Sequence, residues 1–97
     1  MYYIYVLFSE KDLKLYIGLT ELNPVERLKQ YNSGKTESTR NRRPLQLVYY
    51  EMYLNQQDAR GRERFLKGGS GHVYLKKQLR NFFMRRGVEQ PGSSQGS

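Results

Sequence analysis

Cysteine is absent from the sequence, which excludes both a disulfide framework and a thiolate metal site. Histidine occurs once, at His72, and so has no partner for an imidazole-based zinc site; a surface or capping role is expected for it. No apolar run approaches the ~20 residues of a membrane span. The N-terminus also lacks the charged-then-apolar pattern of a secretory leader. The expectation is a cytoplasmic protein that does not enter a membrane. No glycine-rich phosphate loop of the nucleotide-binding kind is found, because Gly68-Gly69-Ser70-Gly71 follows a helix rather than a strand. No serine stands at recognisable motif spacing from both a histidine and an acid.

Acidic residues are scarce as well. The 97 residues carry 17 Lys and Arg against 9 Asp and Glu, for a net charge of +8 and a pI near 9.9. Between Gly34 and Gly87 thirteen basic residues face four acids. The bases cluster instead of alternating with acids, which favours a polyanionic partner over a merely solvated surface. The length suits one domain, expected over residues 1–87, with the small, polar stretch 88–97 as a disordered tail.

What is present begins with alternation. Ile4, Val6 and Phe8 share one face of a strand, and Tyr3, Tyr5 and Leu7 the other. After the polar Ser9-Glu10-Lys11-Asp12, Leu15, Ile17 and Leu19 alternate with Lys14, Tyr16, Gly18 and Thr20. Pairing Leu7 near Lys14 puts Tyr5 opposite Tyr16 in an antiparallel hairpin. The aliphatic face is read as the core, and the tyrosine face is left for function. Asn23-Pro24 predicts a capped helix to about Asn32, stopped at Ser33-Gly34, with Val25 and Leu28 inward and Arg27 beside Tyr31. A basic loop follows, with Lys35, Arg40, Arg42 and Arg43. Leu45–Tyr53 reads as a third strand covered on both sides. Asn55 caps a helix from about Gln56 to Lys67, closed by Gly68-Gly69. A last helix, about His72 to Arg85, has Leu75, Leu79 and Phe82 on one stripe. The expected fold is α+β: a small three-stranded sheet with an antiparallel N-terminal hairpin, flanked by three helices, in the order β-β-α-β-α-α.

In the second helix Ala59, Glu63 and Leu66 follow i, i+4, i+7, which sets an acid on the inward stripe. Two readings stay open. Either Phe65 and Leu66 define the buried face and Glu63 flanks it, pairing with Arg60 or Lys67, or Glu63 is a buried carboxylate that is paired or bound to metal. Phenols, an arginine and a carboxylate together suit phosphodiester cleavage. The carboxylate can hold Mg²⁺ and the arginine can pair with phosphate charge. A tyrosine could take the proton of the attacking water if cations lower its pKa from ~10.

At these residues the sequence resembles the GIY-YIG nuclease superfamily. Tyr3-Ile4-Tyr5 and Tyr16-Ile17-Gly18 correspond to its two named motifs. Arg27 falls in the arginine helix, Pro44 to Glu51 in the third strand, and Ala59 to Glu63 in the glutamate helix. Small stand-alone members similar to the nuclease domain of the bacterial excision-repair incision subunit share this pattern. The resemblance implies a DNA endonuclease or nickase using Mg²⁺ or Mn²⁺, with a role in DNA repair or recombination and a repair protein as a further partner. It makes Glu63 the metal ligand, Arg27 the phosphate-stabilising arginine, Tyr5 the activator of water, and Tyr16 and Tyr31 further site phenols. Lys35, Arg40, Arg42, Arg43, Lys67 and Lys76 are the expected nucleic-acid-binding residues, Lys67 and Lys76 also being candidates to reach the site. Tyr3 replaces the family glycine, at what is expected to be an edge position. The alternative is a non-catalytic nucleic-acid-binding module of the same fold.

Overall fold

A computed structural model describes residues 1–34 and 40–85. Lys35 and the expected tail at 88–97 lie outside the described residues. The elements are β1 (Tyr2–Ser9), β2 (Leu15–Thr20), α1 (Pro24–Asn32), β3 (Leu45–Tyr53), α2 (Gln56–Lys67), α3 (Gly69–Gln78) and α4 (Arg80–Arg85). The expected order holds, with the last helical stretch in two pieces. The sheet order is β2-β1-β3 and both pairings are antiparallel. Strand β1 is therefore central, and Tyr3 does not occupy an edge strand.

Local chemistry sets the helix ends. Asn23 Oδ1 accepts the Val25 N–H at 2.8 Å and Pro24 opens α1, as its missing N–H and fixed φ allow. Gly34 follows with φ +84°, the left-handed stop that glycine adopts without strain. Asn55 Oδ1 likewise receives Gln57 and Asp58 N–H at 2.8 and 3.2 Å.

The hairpin register differs from the expectation. Tyr5 pairs with Gly18, and Leu7 with Tyr16. The shift comes from a turn built by side chains. The Ser9 Oγ accepts Lys11 and Asp12 N–H, Asp12 Oδ1 accepts Lys14 N–H, and Leu13 turns back at φ 60°. Tyr5 and Tyr16 still share a face, diagonally. Strand β3 also departs from simple alternation. A bulge opposite Val6/Leu7 skips Val48, so Leu45 and Leu47 join Tyr50 and Met52 on the tyrosine face. Tyr49, Glu51 and Tyr53 fall on the other. Tyr50 and Met52 are half exposed, so this end of β3 is not covered on both sides.

Both faces of β1 are core, which corrects the assignment of the tyrosine face to function alone. Ile4, Val6 and Phe8 are buried on one face, Tyr5 and Leu7 on the other. Helix α1 covers the latter, with Leu28 and Tyr31 against Tyr5, Leu7 and Leu45. Its inward stripe is Pro24, Leu28 and Tyr31, at i, i+4, i+7; Val25 is exposed. Asn32 fastens the C-terminal end of α1 to β3, donating to Leu45 O at 2.9 Å and accepting Leu45 N–H at 2.8 Å. On the opposite face Glu51 receives the Arg62 guanidinium at 2.9 Å and the hydroxyls of Tyr49 and Tyr53. This joins α2 to the sheet.

Among the described residues, these contacts belong to a compact unit up to Glu63, and those from Arg64 onward form a second. In the second unit Leu75, Leu79 and Phe83 are buried, so Phe83 takes the inward place expected of Phe82. The glycine run ends α2 at Gly68, as expected, but α3 starts at once at Gly69. The reason is contact. A Cβ on Gly71 would stand 2.0 Å from Phe65 O and 2.4 Å from Leu66 Cα, so only glycine lets α3 meet the end of α2.

Candidate active site

The tyrosine face carries four of the five expected site residues and joins three of them, Tyr5, Tyr31 and Arg27, in one group. Tyr5 stands at the middle of β1 and points under α1, where its hydroxyl lies 2.6 Å from that of Tyr31. The rings are tilted at 57° with centroids 5.8 Å apart, within the range of favourable aromatic pairs. One turn before Tyr31, the Arg27 guanidinium carbon lies 4.7 Å from the Tyr31 ring centre, in cation–π range. Arg27 is also anchored by Gln30, whose Oε1 accepts from Nη1 at 2.6 Å. Helical spacing does this: residues 27, 30 and 31 share one side of the helix.

Gly18 makes the room for Tyr5. A Cβ there would lie 2.1 Å from the phenol oxygen and 2.3 Å from its ring carbon. The glycine of the second motif is thus a slot for the tyrosine of the first.

Charge in this group is set by burial as well as by cations. Burial pushes the Tyr5 pKa up, as does its hydrogen bond with Tyr31, and the opposing pull of Arg27 is too small to reverse them. Arg27 beside it does not bring the value down, because Tyr5 is 3% exposed and loses more hydration than Arg27 returns. Tyr5 is a neutral phenol and a hydrogen-bonding group. For Arg27, burial acts downward but is outweighed by the two phenols, and the net shift is upward, so it is a fixed cation.

Tyr16 belongs to a different group on the same face. It packs against the Tyr5–Leu7–Leu45 cluster, but its hydroxyl donates to Asp12 Oδ2 and accepts from Arg42 Nε at 2.9 Å. Burial and the Asp12 hydrogen bond push its pKa up, against Arg42. Sequence reasoning passed over Asp12. Its signal was an acid in the hairpin turn four residues before the motif tyrosine.

Glu63 is carried by α2. Ala59 and Leu66 are fully buried and Glu63, between them on the stripe, is half-buried. Phe65 is 42% exposed, so of the Phe65–Leu66 pair only Leu66 faces inward, and the half-buried Glu63 stands between the two readings. Among the described residues no group of three or more His, Cys, Asp or Glu stands together. A single partly buried carboxylate fits Mg²⁺, which keeps several waters and binds through one or two carboxylates plus substrate phosphate. It does not fit an all-protein cage.

Of the expected nucleic-acid contacts, Arg40, Arg42 and Arg43 are exposed. Arg40 Nε donates to Gly34 O at 3.2 Å and Arg43 Nε to Arg40 O at 2.8 Å, so these two side chains are tied to nearby backbone. Lys67 and Lys76 lie in the second unit, on the last turn of α2 and on α3. No helix among the described residues is long and apolar enough to cross a membrane.

The family model described as the GIY-YIG catalytic domain matches residues 1–78. A UPF0213 protein of Pediococcus acidilactici is 44% identical over 78 residues, covering 77% of this chain and 78% of the relative. One of Clostridium perfringens is 41% identical over 68 residues, 69% of this chain and 71% of its own. One of Staphylococcus haemolyticus is 38% identical over 76 residues, 77% and 90% respectively. No solved structure matches. With both named motifs paired across one hairpin and the match spanning most of its length, the chain belongs to the GIY-YIG catalytic domain family.

Proposed function

We infer that the protein is a divalent-metal-dependent endonuclease or nickase that hydrolyses phosphodiester bonds of DNA in the cytoplasm. The observation that carries this reading is the meeting of Tyr5, Tyr31 and Arg27 on one sheet face, in a basic domain that also keeps Glu63 on a buried stripe. A carboxylate facing phosphate repels it unless a cation bridges them, which favours the metal-dependent enzyme over a pure binding module.

In this reading Arg27 pairs with a non-bridging oxygen of the scissile phosphate and stabilises the charge that builds there. Its tether to Gln30 and its seat on Tyr31 hold the guanidinium before substrate arrives, so little reorganisation is needed. Tyr5 and Tyr31, linked hydroxyl to hydroxyl, orient the attacking water or a phosphate oxygen by hydrogen bonding. As a neutral phenol, Tyr5 serves better as a positioned donor than as a resting base. Glu63 would hold Mg²⁺ or Mn²⁺, which when bound polarises the phosphate and eases departure of the 3′ oxygen.

The test is incubation of the purified chain with supercoiled, single-stranded and branched DNA plus Mg²⁺ or Mn²⁺. Cleavage is expected to require the metal. It should fall by about 10²-fold or more in Arg27→Ala, the scale of a lost transition-state donor, and vanish in Glu63→Ala. Metal-dependent cutting that survives both substitutions defeats the reading.

A further inference from the structure

The hairpin turn carries a second phenol–arginine group that the reaction above leaves unused. Tyr16 donates to Asp12 Oδ2; Arg42 Nε lies 2.9 Å from the Tyr16 oxygen and 3.1 Å from Asp12 Oδ2. Asp12 Oδ1 is taken by the Lys14 N–H at 3.0 Å, so both carboxylate oxygens are engaged inside the turn. Ser9, fully buried, adds a backbone tie by donating to Arg42 O at 2.6 Å while accepting Lys11 and Asp12 N–H. Arg42 is thus held at its backbone and at Nε. Its two terminal amino groups make no hydrogen bond among the described residues, and its side chain is 46% exposed. A planar guanidinium fixed at one nitrogen with the other two unspent has the geometry that receives phosphate bidentately. Tyr16 lies two residues along β2 from Gly18, the partner of Tyr5, so the backbones of the two tyrosines are offset by roughly 7 Å along the strand direction on one face.

We propose that Asp12 and Tyr16 hold Arg42 as a preset subsite for one backbone phosphate of a nucleic-acid strand, adjacent to the phosphate engaged at Arg27. The subsite rests on the nucleic-acid reading above and extends it to a second, neighbouring phosphate. Asp12 is a positioning residue that acts through Arg42. Its role has a signature in sign. As a bare charge, Asp12 repels a polyanion, so neutralising it would tighten binding. As the group that fixes Arg42, its loss weakens binding although the protein becomes more positive.

The experiment is fluorescence anisotropy of a fluorescein-labelled oligothymidylate with the full chain in EDTA, titrated at several salt concentrations. Wild-type affinity is expected to fall as salt rises. Arg42→Gln should weaken binding about tenfold, the effect of losing one charge-assisted pair. It should also lower the slope of log affinity against log salt by about 0.7, the value for one single-strand phosphate. Asp12→Asn keeps the oxygen that accepts Lys14 N–H, adds net positive charge, and should still weaken binding at least about threefold. Arg42→Lys retains the charge but not the fork, so it should lose affinity too; it carries the test if Arg42→Gln does not fold. An Asp12→Asn protein that binds as tightly as wild type or tighter overturns the subsite. So does an unchanged salt slope in Arg42→Gln. Absence of any salt-dependent binding by the wild type overturns the nucleic-acid reading itself, and the subsite with it.

Discussion

Replacing Gly18 by alanine tests the packing of the two motifs directly. The added Cβ would lie 2.1 Å from the Tyr5 oxygen, 2.3 Å from the adjacent ring carbon and 2.9 Å from the next. Normal contact between carbons begins near ~3.5 Å, so the ring must retreat by roughly 1.2 Å. Tyr5 is 3% exposed and lies beneath α1, leaving no open solvent into which it can swing. Overpacking of this kind costs about 1–3 kcal/mol. Pulling the phenol off Tyr31 adds about 1 kcal/mol for the lost hydrogen bond. A total of about 2–4 kcal/mol corresponds to a melting-temperature drop of about 10–20 °C in a domain this size. The assay is thermal and urea unfolding, followed by circular dichroism, of wild type, Gly18→Ala, Tyr5→Leu and the double variant. Leucine removes the three clashing atoms, so Gly18→Ala in that background should cost less than about 0.5 kcal/mol, a strong coupling between neighbours. Equal cost in both backgrounds would show that the glycine serves the strand and not the tyrosine, and would refute the slot.

Leu13→Gly should stabilise the protein by about 0.5–1 kcal/mol, because Leu13 holds φ 60° while 46% exposed, so left-handed strain is relieved at little cost in burial; a lowered urea midpoint would contradict this. Gly71→Ala should destabilise by about 3 kcal/mol or more, since its Cβ meets backbone at 2.0 Å, outweighing the ~1 kcal/mol helix preference of alanine; an unchanged urea midpoint would mean that α3 does not need this approach. For Glu51, burial acts to raise the pKa but Arg62 and the hydroxyls of Tyr49 and Tyr53 outweigh it, so the folded value is lowered. Its contribution is then fully present above the unfolded carboxylate pKa of ~4.3 and lost as pH falls through the folded value. Urea midpoints between pH 6 and 3 should fall more steeply for wild type than for Glu51→Gln, and parallel curves would remove Glu51 from the acid response.

What could be read from the sequence was whatever a few adjacent residues decide. Asn23-Pro24, Gly34 and Asn55 mark helix ends because their hydrogen bonds and φ angles are local, and all of them hold. The hairpin register was not readable in the same way, because the turn length depends on how Ser9 and Asp12 fold their side chains back onto the backbone. The bulge that skips Val48 leaves no residue signature, so the alternation of β3 misassigned Leu45 and Leu47. Helix α1 misled in another way: Pro24 and Tyr31 carry polar or special labels in a periodicity count, yet both face inward while Val25 does not. The same conflict made Tyr5 seem purely functional. A phenol can fill a core with its ring and do chemistry with its oxygen, and Tyr5 under α1 is shaped for both.

The amide of Asn32 has a consequence for how the chain can vary. By pairing with both the N–H and the C=O of Leu45, it closes residues 33–44 at their base as a neighbouring strand would. One side chain thus fixes both the end of α1, with the seat of Tyr31, and the start of β3. Doubling such a loop costs only about 0.6 kcal/mol of closure entropy. Variation is therefore confined to residues before Arg42, because Arg42 and Pro44 are themselves tied to the hairpin, Arg42 through Ser9, Asp12 and Tyr16 and Pro44 through the Glu10 N–H.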